Sequence, residues 1–560
     1  MNSRDKAISY LAEGHGLLKK HGLYGKSDDI HTFAIDRALA NFAADQTKWD
    51  VPYVSKEPPP LCFEGASEAA AALQALYEAK RLVTARSSIE GRRIILGDWF
   101  MSLAVALALP LRSARLADLM SEELSAIGTD ANSIHRSVSQ KSFYETIDRF
   151  TTELTTRQKG DGSIRGTDLL IDLSIKRSVP LIEPSPFCLK NQTQGTSHSV
   201  LSLFPADNKL LSAIGSGFHK TAAIRTRNAL SRMETWFSDR YASEAANETD
   251  GWIYGAIMSG GKRLRPMLVR LCAGLGTEYD EQTVICIMST IELMHSASLV
   301  HDDIVDRSPM RRSRATINAE KGDGYAAMCG FIMIADALSL IGTETSDKLI
   351  GILSGIPMKM CGGELHQLDI ENMPEFQSEH EYFDRIACKT AALIEGSCVC
   401  GAISCGADDK TVRALSDYGR ALGLLFQLRD DLFDYGVPHT SGKPVSQDME
   451  RGIYSLPLLY AMDALKETDA KEYEKLDAIL RKHIKEPSDF RYLNKIAEDT
   501  GGISYTLDKI EEQAKSALSS LVSLPQDTWT EALSLIVFAL TEGYSRETYF
   551  ADKNARLNNE

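Results

Sequence analysis

Positive charge is in short supply in this sequence. There are 62 Lys and Arg against 77 Asp and Glu, a formal net charge of −15 over 560 residues. A general nucleic-acid surface needs a basic face, so that class is excluded. Ten cysteines in a chain this long do not suggest a disulfide scaffold, and no CxxC pair occurs among them. Cys398, Cys400 and Cys405 lie in an apolar helical run and read as buried free thiols, in keeping with a reducing cytoplasm. The start, MNSRDKAISYLAEGHG, has no apolar core of a signal peptide. Long membrane-spanning runs are also scarce. The most apolar stretch, near 326–342, is short and interrupted by Asp336, and reads as a core helix.

Strand-like alternation is rare as well. Ala- and Leu-rich segments such as 66–83 and 98–127 repeat apolar residues at three and four, which predicts an all-α fold. The length favours two domains. Residues 179–207 carry four prolines among many polar residues and read as a linker. The expected division is an N-terminal helical domain at 1–178, the linker at 179–207, and a catalytic domain at 208–560.

What the chain does have is two matching acidic motifs. DDIVD places Asp302, Asp303 and Asp306 at the end of an apolar helical run, and DDLFD places Asp430, Asp431 and Asp434 at the end of another. Acids four apart share a helix face and repel unless a cation lies between them. His295 and Ser298 fall on the same stripe as Asp302, and Gln427 lies one turn before Asp430 on the face it shares with Asp434. Carboxylate pairs from two helices suit magnesium, which takes hard oxygen ligands and keeps waters and phosphates in its shell. In the N-terminal region, Asp28-Asp29 lacks a third acid at this spacing. Cations accompany the acids: Lys262, Arg263 and Arg265 follow a Gly-Gly turn, Arg311 and Arg312 follow the first motif, Lys389 precedes Thr390, and Lys443 follows the second motif. Guanidinium and ammonium groups bind phosphate oxygens by charge-assisted bonds. Acids and cations together point to a site for diphosphates and metal.

In order and rough spacing, GGKRLRP, HSASLVHDDIVD with its downstream RR, GGELHQ, KTAALIEG, FQLRDDLFD and GKPVSQD…SLPLLYA resemble the trans-polyprenyl diphosphate synthases, over about 210–560. The resemblance implies an isoprenoid-synthase helical bundle around a deep central cavity, usually a homodimer. It implies that Lys262, Arg265, His295 and Arg312 hold isopentenyl diphosphate. Arg311, Lys389 and Lys443 would grip the allylic diphosphate, with Thr390 and Gln427 near the reacting ends. Asp302, Asp306 and Asp430 would coordinate magnesium, three ions with the bound diphosphate. The implied reaction is all-trans chain elongation. Glu364 and Gln367 of GGELHQ read as polar partners inside the bundle. Ala297 and Ser298, just before the first motif, are small where bulky residues halt growth in this family, so a product longer than farnesyl is expected; the deeper Met294 and Ile291 remain possible limits. A long product implies loose membrane association for its release. Two other readings stand beside this one: a class I terpene cyclase, which needs no isopentenyl site, and a non-catalytic regulatory subunit, which needs no intact acidic motifs.

The sequence departs from the family pattern at three places. Ser446 stands where Gly is common, Ile453 where Lys or Asn is frequent, and Gly330-Phe331 where a Gly-Asp pair is usual. A Gly-Asp pair occurs instead at Gly97-Asp98, within RRIILGDWFMSLAVALAL. That segment resembles the small subunit of two-component heptaprenyl synthases. Two readings of the N-terminal region follow: a degenerate synthase-like domain, or an unrelated helical domain.

Overall fold

The computed structural model describes residues 72, 75, 91–108, 220–243, 246–278, 280–312, 314–344, 346–371, 373, 374, 377–437 and 446–549. The expected linker at 179–207, most of the expected N-terminal domain and Lys443 lie outside the described residues. The described residues are almost entirely helical, as the scarcity of alternating runs predicts. The exception among them is a two-stranded antiparallel hairpin.

In chain order the helices are α1 (Gly91–Ala108), α2 (Lys220–Tyr241), α3 (Glu248–Ile257), α4 (Leu264–Ala273) and α5 (Glu281–Val305). The hairpin strands β1 (Met310–Arg311) and β2 (Arg314–Ala315) come next. They are followed by α6 (Ile317–Lys321), α7 (Asp323–Glu344), α8 (Asp347–Asp369) and α9 (Glu379–Ile386). A wide π-helical turn at Ala387–Ala391 leads from α9 into α10 (Ala392–Ser404). Then come α11 (Asp409–Phe433), α12 (Gln447–Glu450), α13 (Leu456–Thr468), α14 (Ala470–Leu480), α15 (Pro487–Asp499), α16 (Gly502–Leu521) and α17 (Thr528–Thr541).

The chain forms two compact units. The first takes Met1–Gly195, Arg232–Gly261 and Ser289–Met358; the second takes Thr196–Ser231, Lys262–Met288 and Lys359–Glu560.

In the first unit, α7 is the apolar run singled out above. Its interrupting acid has partners: Asp336 accepts from Arg240 Nη2 at 2.8 Å and from Tyr241 Oη at 2.7 Å. A charged group inside a packed core survives only when paired in this way. In the second unit, α11 packs against α10 and α16. Helix α11 approaches the π-helical turn so closely at Gly423 that a Cβ there would lie 2.5 Å from the Ala391 Cα. Leu415, Leu422, Leu425, Leu428 and Leu432 form its buried stripe, each contributing about 1.5–3 kcal/mol by leaving water. Caps fix the helix starts: Asp408 accepts from Thr411 N at the head of α11, and Ser378 with Glu381 forms a capping box on α9.

Two stretches, Glu281–Val305 and Glu379–Ser404, are long and apolar enough to cross a bilayer by composition. The apolar window of the first is 83% buried and that of the second 61% buried within the structure. Both are built into the protein core. Cys398, Cys400 and Cys405 are fully buried, and burial pushes all three thiols up.

Candidate active site

Both acidic motifs sit at the C-terminal end of a long helix, α5 for DDIVD and α11 for DDLFD. Backbone carbonyls make that end negative, and neither helix has a basic residue in its last turn. The helix dipole disfavours carboxylates placed there, and a cation offsets that cost.

The six aspartates divide by exposure and by partner. In the first unit Asp302 and Asp306 are half-buried, while Asp303 is buried. Asp303 accepts from Arg311 Nε at 2.7 Å, and its main-chain oxygen accepts from Asn318 Nδ2 at 3.1 Å. Burial raises the Asp303 carboxyl above the usual range, against the pull of the Arg311 charge. Arg311, expected to hold a diphosphate, is therefore also the counter-charge of the inward acid. In the second unit Asp430 is exposed, and Asp431 and Asp434 are buried. Asp431 accepts from Tyr382 Oη at 2.5 Å and from Gln427 Nε2 at 2.7 Å. Burial, then the neighbouring charge of Asp448, pushes its carboxyl up to about 7. Asp434 Oδ2 caps the start of α12, accepting from Asp448 N at 2.8 Å and Met449 N at 3.3 Å.

The cations expected around the acids fall into two sets. In the first unit Arg312 donates through Nη1 to the Gly260 carbonyl oxygen. Its guanidinium lies so close to Gly261 that a Cβ there would meet Nη1 at 3.0 Å. Gly260 and Gly261 have φ of 114° and 124°, a conformation that other residues rarely adopt. The Gly-Gly turn is thus needed both for its backbone and for the arginine that lies on it. His295 is half-buried on α5, and its carbonyl accepts from Ser298 Oγ at 2.9 Å. Ala297, Met294 and Ile291 are buried.

In the second unit Lys262 is exposed, Arg263 buried and Arg265 half-buried at the start of α4. Lys389 and Thr390 sit on the π-helical turn, a form often found at functional sites. Lys389 Nζ pairs with Glu364 Oε2 at 2.6 Å and donates to Gln367 Oε1 at 3.2 Å. Thr390 Oγ1 donates to Gln427 Oε1 at 2.6 Å. One chain of bonds therefore runs Thr390, Gln427, Asp431, Tyr382. Glu364 and Gln367, read as internal polar partners, meet Lys389. Tyr382 had no local signal in the sequence: it is seven residues before Lys389 and belongs to no motif. The π-helical turn was equally hidden, since KTAALIEG reads as plain helix.

Backbone strain gathers at the same places. Among the described non-glycine residues, positive φ occurs at Arg263, Arg307, Arg312 and Ser446. Three are arginines in or beside the predicted motifs, and strained backbone often marks functional sites. Ser446, where Gly is common in the family, has φ of 70°. Ile453 is buried, so its departure adds to the core.

Next to the first motif, His301 is buried between two acceptors. Nδ1 lies 2.6 Å from Asp98 Oδ2 and Nε2 lies 2.9 Å from the Ala327 carbonyl oxygen. Burial works against a charged ring here, but the Asp98 charge and hydrogen bond, with the Ala327 bond, raise its pKa overall.

Among the described residues no three Asp, Glu, His or Cys side chains form a ready-made metal cage. Magnesium does not require one, because water and substrate phosphate complete its shell. Hard carboxylate oxygens at negative helix ends fit such an ion.

Comparison with known proteins agrees with this chemistry. The polyprenyl synthetase family model matches residues 251–497. The octaprenyl diphosphate synthase of Escherichia coli (strain K12) is 34% identical over 284 residues, covering 50% of this chain and 85% of that protein. A decaprenyl diphosphate synthase from Rhodobacter capsulatus superimposes with a TM-score of 0.54 at 28% identity, covering 58% of this chain and 99% of that one. A polyprenyl synthase from Caulobacter crescentus CB15, solved with calcium and isoprenyl diphosphate, gives 0.52 at 30% identity, covering 59% and 99%. With its acidic helix ends, its basic turns and these relatives, the chain belongs to the polyprenyl synthetase family and is a trans-prenyltransferase that elongates prenyl chains.

Proposed function

We propose that the enzyme condenses isopentenyl diphosphate with an allylic diphosphate, using magnesium, to give an all-trans product longer than farnesyl. The observation that carries this reading is the placement of Asp302, Asp306 and Asp430 at electronegative helix ends without a basic residue in the last turn. Those three would hold magnesium, which when bound stabilises the charge of the departing diphosphate. The remaining work falls to side chains of the chain. Lys262, Arg265, His295 and Arg312 bind isopentenyl diphosphate. Arg311, Lys389 and Lys443 hold the allylic diphosphate, and Thr390 and Gln427 position the reacting ends. The allylic C–O bond breaks, the isopentenyl double bond attacks the freed carbon, and one proton is lost to the released diphosphate. No side-chain base is required. The allylic cation must be kept from water, which calls for an apolar, closed site around it.

Product length is argued from small residues. Ala297 is fully buried and Ser298 half-buried in the turn before Asp302. Two of the relatives described above are named for octaprenyl and decaprenyl products. The same reading makes the enzyme a cytoplasmic homo-oligomer that meets a membrane loosely to release its product.

The test is incubation of the full chain with labelled isopentenyl diphosphate, farnesyl diphosphate and magnesium. The expected result is label in prenyl chains longer than farnesyl, lost on adding EDTA. A hydrocarbon formed from farnesyl diphosphate alone, or no incorporation at all, would overturn the reading.

A further inference from the structure

Helix α1 comes from the region before the family match, yet it touches the first acidic motif at two points. Seven residues apart on α1, Gly91 lies against Val305 and Asp98 against His301. A Cβ on Gly91 would sit 3.1 Å from Val305 Cγ1, tighter than ordinary packing. Asp98 Oδ2 is 2.6 Å from His301 Nδ1, with both residues buried. Val305 is inside DDIVD and His301 immediately precedes it. The other face of the imidazole is equally fixed. Nε2 meets the Ala327 carbonyl oxygen at 2.9 Å. Gly330 leaves the ring its space, since a Cβ there would lie 2.0 Å from Nε2. Phe331 packs on it at 5.4 Å between ring centroids. Ile94, Leu96, Phe100 and Leu103 anchor α1 by burial.

We propose that Asp98 of α1 is a positioning residue for the prenyl-transfer site, clamping His301 so that the Asp302–Asp306 turn is held ready for metal and allylic diphosphate. The N-terminal region thus supplies a working part of the catalytic unit. Gly330 and Phe331 shape the imidazole's pocket but offer no side-chain acceptor, and Asp98 brings the carboxylate from outside the family match. A hydrogen-bonded support behind a metal ligand typically changes metal affinity or activity by 10–100-fold.

The proposal rests on the assignment of Asp302 and Asp306 above, and its test separates the two ideas. Three full-length proteins are compared: the parent, Asp98→Asn, which keeps an acceptor for Nδ1, and Asp98→Leu, which fills the space without one. For Asp98→Leu the magnesium half-saturation and the allylic KM should rise about 10-fold, with the isopentenyl KM unchanged. Asp98→Asn should recover most of the loss. Hydrogen–deuterium exchange over residues 295–306, read without substrate, should quicken in Asp98→Leu alone. Exchange and kinetics matching the parent in Asp98→Leu would overturn the clamp. Parent protein with no prenyl transfer would instead count against the functional assignment, and the exchange result would still decide the clamp. Should Asp98→Leu be insoluble, a protease site inserted in 179–207 replaces it. The cut chain should keep its two fragments together with exchange at 295–306 unchanged. Fragments that separate while 295–306 stays protected would overturn the proposal.

Discussion

The two acidic motifs look alike in sequence and are held in different ways. Both end their helices in the same left-handed turn with nested hydrogen bonds. After DDIVD, Arg307 N donates to Ile304 O and Ser308 N to Asp303 O. After DDLFD, Gly436 N donates to Phe433 O and Val437 N to Leu432 O. The register differs by one residue. Arg307 directly follows Asp306, whereas Tyr435 separates Asp434 from Gly436. One residue rotates a helical side chain by about 100°. Asp306 is half-buried, while Asp434 is buried where it caps α12. The middle acids differ too: a charged arginine balances Asp303, while the neutral Tyr382 and Gln427 hold Asp431. A repeated sequence motif therefore need not be a repeated ligand set.

The largest expected effect tests that division directly. On the proposed assignment, Asp302→Ala and Asp430→Ala should each lower isopentenyl incorporation by about 10³-fold or more, since each would remove a ligand of the magnesium that offsets charge on the leaving diphosphate. Asp434→Asn should lose far less, about 10-fold, because its carboxylate caps α12 and acts on the site through that turn. Steady-state incorporation at saturating magnesium measures both. Equal losses at Asp434 and Asp430 would erase the difference between the motifs.

The middle acids give the next effect, read as stability. Arg311→Met leaves Asp303 buried without its cation. Breaking a buried pair costs about 3–5 kcal/mol, but the Arg311 side chain is 33% exposed. Solvent screening reduces the expected loss to about 2 kcal/mol. Tyr382→Phe removes a neutral donor from Asp431, which keeps Gln427, and should cost about 1 kcal/mol. Urea denaturation followed by helical circular dichroism measures both, and a larger loss for Tyr382→Phe than for Arg311→Met would reverse the comparison.

Much of this is legible in the sequence alone. The apolar runs ending in DDxxD announced helices whose last turn is acidic, because the period of apolar residues and the acid spacing are both local. The Gly-Gly turn before Lys262 was legible for the same reason. Contacts across the fold were not. Nothing near Asp431 in the chain names Tyr382, which is 49 positions away. Nothing near His301 names Asp98, which is 203 positions away. The helix with Gly97-Asp98 stood out as a resemblance, but its contact with the motif depends on packing of α1 in the first unit. The π-helical turn was hidden because one extra residue per turn leaves no compositional trace.

The smallest effect isolates the turn that the two motifs share. Arg307 holds φ of 51° and Gly436 holds 70°. For an L-residue the left-handed conformation costs about 1–2 kcal/mol, while glycine gives up about 0.5–1 kcal/mol of chain entropy on folding. Arg307→Gly should therefore stabilise the protein by about 0.5–1 kcal/mol, and Gly436→Ala should destabilise it by a similar amount. Arg307 is exposed and follows the last acid of DDIVD, so the gain in stability should come with a changed magnesium half-saturation only if the strained turn itself helps to aim Asp306. A stability gain with unchanged magnesium dependence would assign the strain at Arg307 to chain geometry alone. A gain in stability paired with weaker magnesium dependence would make the left-handed arginine part of the metal site, and would separate the first motif from the second more sharply than any of the acids does.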